Sequence, residues 1–180
     1  MLQISTGIKG LDRILCGGFI AGSSVLIEGS PGCGKTTLGV QIIVEGILSG
    51  EPGMILTFEQ FPEQIYRDAA RFGWDLRAME QENRLRVICT SPQVISDQLL
   101  QPSGPIYQLI ERLGIKRILI DSFTHFQRIT VEETSLRELM FSMINSLKRM
   151  GLTVIFTKEI SLKGVAGFEE YLVDTIITLS

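Results

Sequence analysis

The chain has 180 residues, of which 44% are hydrophobic and 21% charged, a balance suited to one globular domain, Met1 to Ser180, with a real core. Its formal net charge of −3 excludes a chain-wide positive field that would draw in nucleic acid. No apolar run approaches bilayer length, and the opening "MLQISTGIKG" lacks the layout of a signal peptide, so the expected location is cytosolic, with no membrane partner. Cys16, Cys33 and Cys89 show no C-x-x-C spacing, which fits a reducing compartment; Cys16 and Cys89 read as small buried or half-buried fillers, and Cys33 as a variable position in a loop whose backbone does the binding.

Taken in order, the chain alternates short apolar runs with helix-period segments. The first run, "VLIE" (25–28), leads into "GSPGCGKTT" (29–37), and a helix is expected from Thr36 to Ser49, stopping at Gly50. "MILTF" (54–58) follows, then a helix opened by Pro62 with Ile65, Ala69 and Phe72 on its buried side and Gly73 at its end. "LRVIC" (85–89) is the third run. The stretch from Ser91 to Gly104 reads as irregular. "RILI" (117–120) comes next. After it, a helix buries Leu136, Leu139, Met140, Met143, Ile144 and Leu147, with Ser135 and Glu138 as its capping box and Gly151 as its stop. "LTVIF" (152–156) and "TIITL" (175–179) complete the runs. Apolar at nearly every position, these are strands covered on both faces, and their alternation with helices predicts an α/β fold with a mainly parallel sheet.

Gly29, Ser30, Pro31, Gly32, Cys33, Gly34, Lys35 and Thr36 match G-x-x-x-x-G-K-[ST] at every fixed position. A strand before and a helix after are the context this motif requires. The glycines permit a tight loop whose N–H groups, with the helix N-terminus at Thr36 and Thr37, can face phosphate oxygens. Lys35 supplies a mobile charge for terminal phosphates, and the Thr36 hydroxyl suits Mg²⁺.

Ligands of open parallel sheets sit beyond the carboxyl ends of the strands. Asp121 leaves "RILI" there, as a Mg²⁺-holding carboxylate would. Glu59 leaves "MILTF", either as a carboxylate for an attacking water or as a partner for the N-terminus of the helix at Pro62. Thr157 leaves "LTVIF", to sense a terminal phosphate or simply to turn the chain. His125, the one histidine, reads as a loop or interface residue, and Trp74 as a packing anchor.

With these residues in place, the opening "ISTGIKGLDRILCGGFIAGSSVLIEGSPGCGKTTL" resembles KaiC-like ATPases of the RecA/RadA group, and "LTFEQFPEQI", "ILIDSF" and "GFEEYLVDTIITL" resemble the same family in the same order. The resemblance implies a RecA-like core binding ATP and Mg²⁺ between subunits of a homo-oligomeric ring, commonly a hexamer. It implies Glu59 as catalytic carboxylate, Asp121 as the Walker B acid and Thr157 near the sensor position. Three departures stand out. Gln60 replaces the second of two successive glutamates. Glu170-Tyr171 replaces a Ser-Thr pair, so autokinase activity is not expected. The residues to Ser180 contain no counterpart of the family's Lys/Arg lever, and loss of such a charge in trans can lower turnover about a thousandfold or more. The function expected is a slow ATPase acting as an oligomeric switch in signalling or timing. The alternatives are an ATP-gated assembly protein with little hydrolysis and a RadA-like DNA-handling ATPase. Acid outnumbers base in the candidate DNA loops "THFQRITVEET" and "KEISLKGVAGFEE", which disfavours the last.

Overall fold

The computed structural model describes residues 2–129, 132–160 and 168–180. Six strands form one all-parallel sheet: β3 (Ser24–Gly29), β4 (Gly53–Thr57), β5 (Leu85–Cys89), β6 (Arg117–Asp121), β7 (Thr153–Glu159) and β8 (Thr175–Leu179). Their spatial order is β5-β4-β6-β7-β3-β8. A separate two-stranded antiparallel pair joins β1 (Gln3–Ile4) to β2 (Phe19–Ile20), with α1 (Lys9–Ile14) between them.

The sheet is covered on both faces, which is why its inner strands carry no polar alternation. On one face, Val25, Ile27, Ile55, Leu119 and Ile155 pack with α2 (Lys35–Leu48), α3 (Pro62–Ala70) and α4 (Leu76–Gln81). On the other, Leu26, Leu56, Ile120 and Phe156 pack with α5 (Pro92–Leu100), α6 (Pro105–Leu113) and α7 (Glu133–Arg149). Gly39 and Gly46 let α2 lie close to the sheet. A Cβ on Gly39 would meet the Leu119 side chain at 2.6 Å, and one on Gly46 would meet Arg117 at 2.6 Å.

Several sequence expectations are corrected. The Ser91–Gly104 stretch contains α5, started by the Ser91 hydroxyl accepting from Val94 N–H and by Pro92 in its first turn. The helix expected to start with a capping box at Ser135 begins earlier, at Glu133, and Ser135 Oγ donates to Glu132 instead. Phe72 lies outside the core, 57% exposed, stacked on Trp74 with ring centroids 5.0 Å apart. Leu139 is only half-buried, and Cys16 is exposed. Strand β8 alternates half-buried and exposed residues because it lies at the sheet edge. The central part of "KEISLKGVAGFEE", with Lys163, lies outside the described residues.

Two interactions tie distant segments to the sheet. Buried Arg117, at the start of β6, donates to Glu51 Oε2 at 2.6 Å, Ser5 O at 2.6 Å and Ile42 O at 3.1 Å. Asp174, just before β8, accepts from Ser24 N–H, Ser24 Oγ–H and Lys148 Nζ at 2.7, 2.8 and 2.6 Å. Burial alone would raise the Asp174 carboxyl. Its hydrogen bonds from Lys148 and Ser24, with the Lys148 charge, outweigh that and hold it below the ordinary 3.8. A depressed folded pKa stabilises the fold above the unfolded value and loses that contribution as pH falls through the folded one. Urea unfolding of Asp174→Asn should therefore show a lower midpoint than wild type near neutrality. The difference should shrink as pH falls from the ordinary carboxylate range through the depressed folded value, where native Asp174 takes up its proton.

Candidate active site

The register of the sheet decides which strand ends meet. Thr57 on β4 pairs with Asp121 on β6, Ile120 on β6 with Phe156 on β7, and Ile27 on β3 with Thr157 on β7. The residues leaving β4, β6, β7 and β3 therefore rise side by side at the carboxyl edge. They bound an open cleft of about 360 Å³ lined by Gly32, Gly34, Lys35, Thr36, Thr37, Thr57, Glu59, Gln60, Asp121, Ser122, His125 and Glu159.

The glycine-rich loop runs from the end of β3 to α2. Gly29 is fixed by space: a Cβ there would meet Cys33 Sγ at 2.5 Å and Leu179 O at 2.6 Å. Gly32 and Gly34 adopt φ of +80° and +96°, the left-handed region where glycine carries no steric penalty. Gly34 is also the residue before α2, and it has no side chain to cap the helix's first N–H groups. Those donors are left for a ligand. Lys35 folds back over the loop, donating from Nζ to Gly29 O at 3.0 Å and Ser30 O at 2.8 Å, with Cys33 Sγ at 3.9 Å. Ser30 and Pro31 are exposed.

Asp121 is the meeting point of two strands and the helix. Thr36 Oγ1 donates to its Oδ2 at 2.8 Å, and the buried Thr157 hydroxyl donates to Oδ1. These hydroxyl and carboxylate oxygens are hard donors of the type Mg²⁺ takes, usually alongside phosphate and water. Among the described residues no group of three or more His, Cys, Asp or Glu side chains forms a metal cluster. A cation here would thus share its coordination with a phosphate ligand.

Glu59 lies two residues beyond β4, where Gln60 N–H donates to Thr57 Oγ1 at 3.2 Å and turns the chain toward α3. The residue preceding α3 is Phe61, and the acid in that helix's first turn is Glu63. Glu59 instead meets His125, with Oε1 2.5 Å from Nε2. His125, read from the sequence as a loop or interface residue, sits on the connection between β6 and α7 and also lines the cleft. The 3₁₀ segment Phe123–Arg128 after β6 carries its ring into the cleft. Glu159, which the sequence reading did not single out, pairs in register with Gly29 and also lines the cleft. Its signal was available, since it follows Thr157 by two residues at a strand end.

An all-parallel sheet with a glycine-rich loop opening a helix, and acid and hydroxyl groups at the adjoining strand ends, defines a P-loop α/β protein. Residues 4–180 match the family described as ATPase: KaiC. The chain belongs to that family. It is 36% identical over 190 residues to the circadian clock oscillator protein KaiC of Prochlorococcus marinus subsp. pastoris, covering 98% of this chain and 37% of the relative. Against KaiC of Synechococcus elongatus the identity is 34%, over 98% of this chain and 36% of the relative. The UPF0273 protein MK0039 of Methanopyrus kandleri is 33% identical over 194 residues, covering 98% of this chain and 76% of the relative. The chain thus spans about a third of the length of these KaiC proteins. Among the described residues no helix is long and apolar enough to cross a membrane.

Proposed function

We propose that this domain binds Mg·ATP in the β3–α2 cleft, hydrolyses it slowly, and uses the cycle to switch a cytosolic homo-oligomer in signalling or timing. The observation that carries the reading is the convergence of Lys35, Thr36, Asp121 and Glu59 on one cleft from three separate chain segments, with buried Thr157 holding Asp121 from a fourth.

In this reading the loop from Gly29 to Thr37 surrounds the phosphates. Backbone N–H groups and the α2 N-terminus face the phosphate oxygens. Lys35 Nζ exchanges its two carbonyl partners for phosphate oxygens. Thr36 and Asp121 would hold Mg²⁺, which when bound neutralises charge on the phosphates. Glu59 orients a water and accepts its proton as the water oxygen attacks the γ-phosphorus. The bond from that phosphorus to the bridging oxygen breaks, giving ADP and inorganic phosphate. Thr157, tied to Asp121 across the strand ends, keeps that carboxylate turned toward Thr36.

The charge of the cleft supports an intersubunit arrangement. Among the described lining residues, Lys35 is the only lysine or arginine, against the carboxylates of Glu59, Asp121 and Glu159. A triphosphate placed there faces more negative than positive charge, which a cation from a neighbouring subunit would offset in the transition state. Slow turnover follows from that dependence.

The switch predicts a nucleotide-dependent particle mass. Light scattering should show a several-fold larger particle with Mg·ATP than without nucleotide. A monomer under both conditions would contradict the oligomeric switch.

A further inference from the structure

The Ser122–His125–Glu59 contacts form a continuous chain across the cleft floor. Ser122 Oγ lies 2.8 Å from His125 Nδ1, and His125 Nε2 lies 2.5 Å from Glu59 Oε1. Both contacts are satisfied by a neutral imidazole when the serine hydroxyl donates to Nδ1 and Nε2–H donates to the carboxylate. The two ends of this chain differ sharply in freedom. The His125 side chain is 12% exposed and that of Glu59 is 61% exposed. The imidazole is also packed against Phe58, with ring centroids 5.7 Å apart, and Phe58 in turn meets buried Phe126 edge-on at 5.2 Å. Ser122 is itself buried at the end of β6.

From this asymmetry we infer that His125 is a positioning residue for hydrolysis: a ring fixed by Ser122 and Phe58 that holds the Glu59 carboxylate over the phosphate cleft. The inference rests on the proposed role of Glu59 and adds to it. An exposed glutamate on a turn samples several rotamers, and each turnover requires the one that meets the water. A charge-assisted hydrogen bond from a packed imidazole selects one rotamer in advance. Because α2 and the glycine-rich loop carry the phosphates, losing the imidazole disturbs the chemistry and leaves ground-state binding in place.

The test compares phosphate release and ATP affinity for wild type, His125→Ala, His125→Gln, Glu59→Gln and the double variant His125→Ala/Glu59→Gln. His125→Ala should lower kcat about tenfold or more, with KM and the ATP Kd changed less than about twofold. His125→Gln, whose side-chain amide offers an N–H donor, should recover most of the loss. In the Glu59→Gln background the alanine change should add little, since its target is already disabled. A slow Glu59→Gln beside a His125→Ala at the wild-type rate would overturn this inference and leave the role of Glu59 standing. Wild-type turnover in Glu59→Gln, or negligible turnover in the wild type, would overturn both. Because the chain has one histidine, its imidazole nitrogens can also be followed directly by NMR above neutral pH. The spectrum should report the Nε2–H tautomer, and Glu59→Gln should shift the Nε2 resonance; an unmoved resonance would contradict the contact.

Discussion

Lys35→Ala is expected to weaken ATP binding about 10- to 100-fold, the range set by loss of a hydrogen bond from a charged donor to a charged acceptor. Two features place it among the largest effects. The ammonium is the only lysine or arginine among the described residues lining the cleft, so none of those residues takes over its charge. The same group also closes the loop on itself through Gly29 O and Ser30 O. The alanine variant therefore loses both the phosphate's partner and part of the loop's internal order. Titration calorimetry with Mg·ATP checks this, and an affinity within twofold of wild type would contradict it. Lys35→Arg should recover charge without recovering full affinity, because a planar fork does not fit where a compact ammonium reaches two carbonyls.

Glu59→Gln should act on turnover instead. Removing a group that takes a proton in the transition state lowers the rate about 10²- to 10⁴-fold, while a neutral amide of the same shape preserves the turn and its packing. ATP affinity should be unchanged or slightly stronger, since one carboxylate near the triphosphate is gone. The pairing of reduced kcat with intact binding separates this residue from Lys35. A variant that hydrolyses at the wild-type rate would remove Glu59 from the mechanism and leave it an exposed partner of His125.

What could be read from the sequence follows from how local each feature is. The strands were legible because a parallel sheet buried on both faces needs uninterrupted apolar runs, and "VLIE", "MILTF" and "RILI" are such runs. The glycine-rich loop was legible because its chemistry is set by fixed spacing within one turn. Helix α5 was harder to see. Its interior mixes buried Ile95, Ser96 and Leu99 with polar positions, and only its start, Ser91-Pro92, carries a strong signal. The beginning of α7 was misplaced because Ser135 and Glu138 have capping-box spacing, yet the helix already runs through them from Glu133.

The roles that depend on long-range pairing were not legible. His125 reaches Glu59 only because β4 and β6 are neighbours in register, which no local pattern announces. Arg117 reads as the polar first residue of a strand. Its partners Glu51 and Ser5 lie 66 and 112 positions away in the chain. Charged side chains are rarely fully buried unless paired, but their pairing is a property of the folded sheet.

The most direct test of the account is phosphate release from ATP by wild type and Glu59→Gln, each measured with Mg²⁺ and with the metal chelated. Slow, Mg²⁺-dependent release by the wild type is expected, abolished by chelation and reduced at least about a hundredfold in Glu59→Gln, which still binds ATP. Equal and negligible release by both proteins in Mg²⁺, with ATP bound, would contradict it and leave a domain that holds the nucleotide without cutting it.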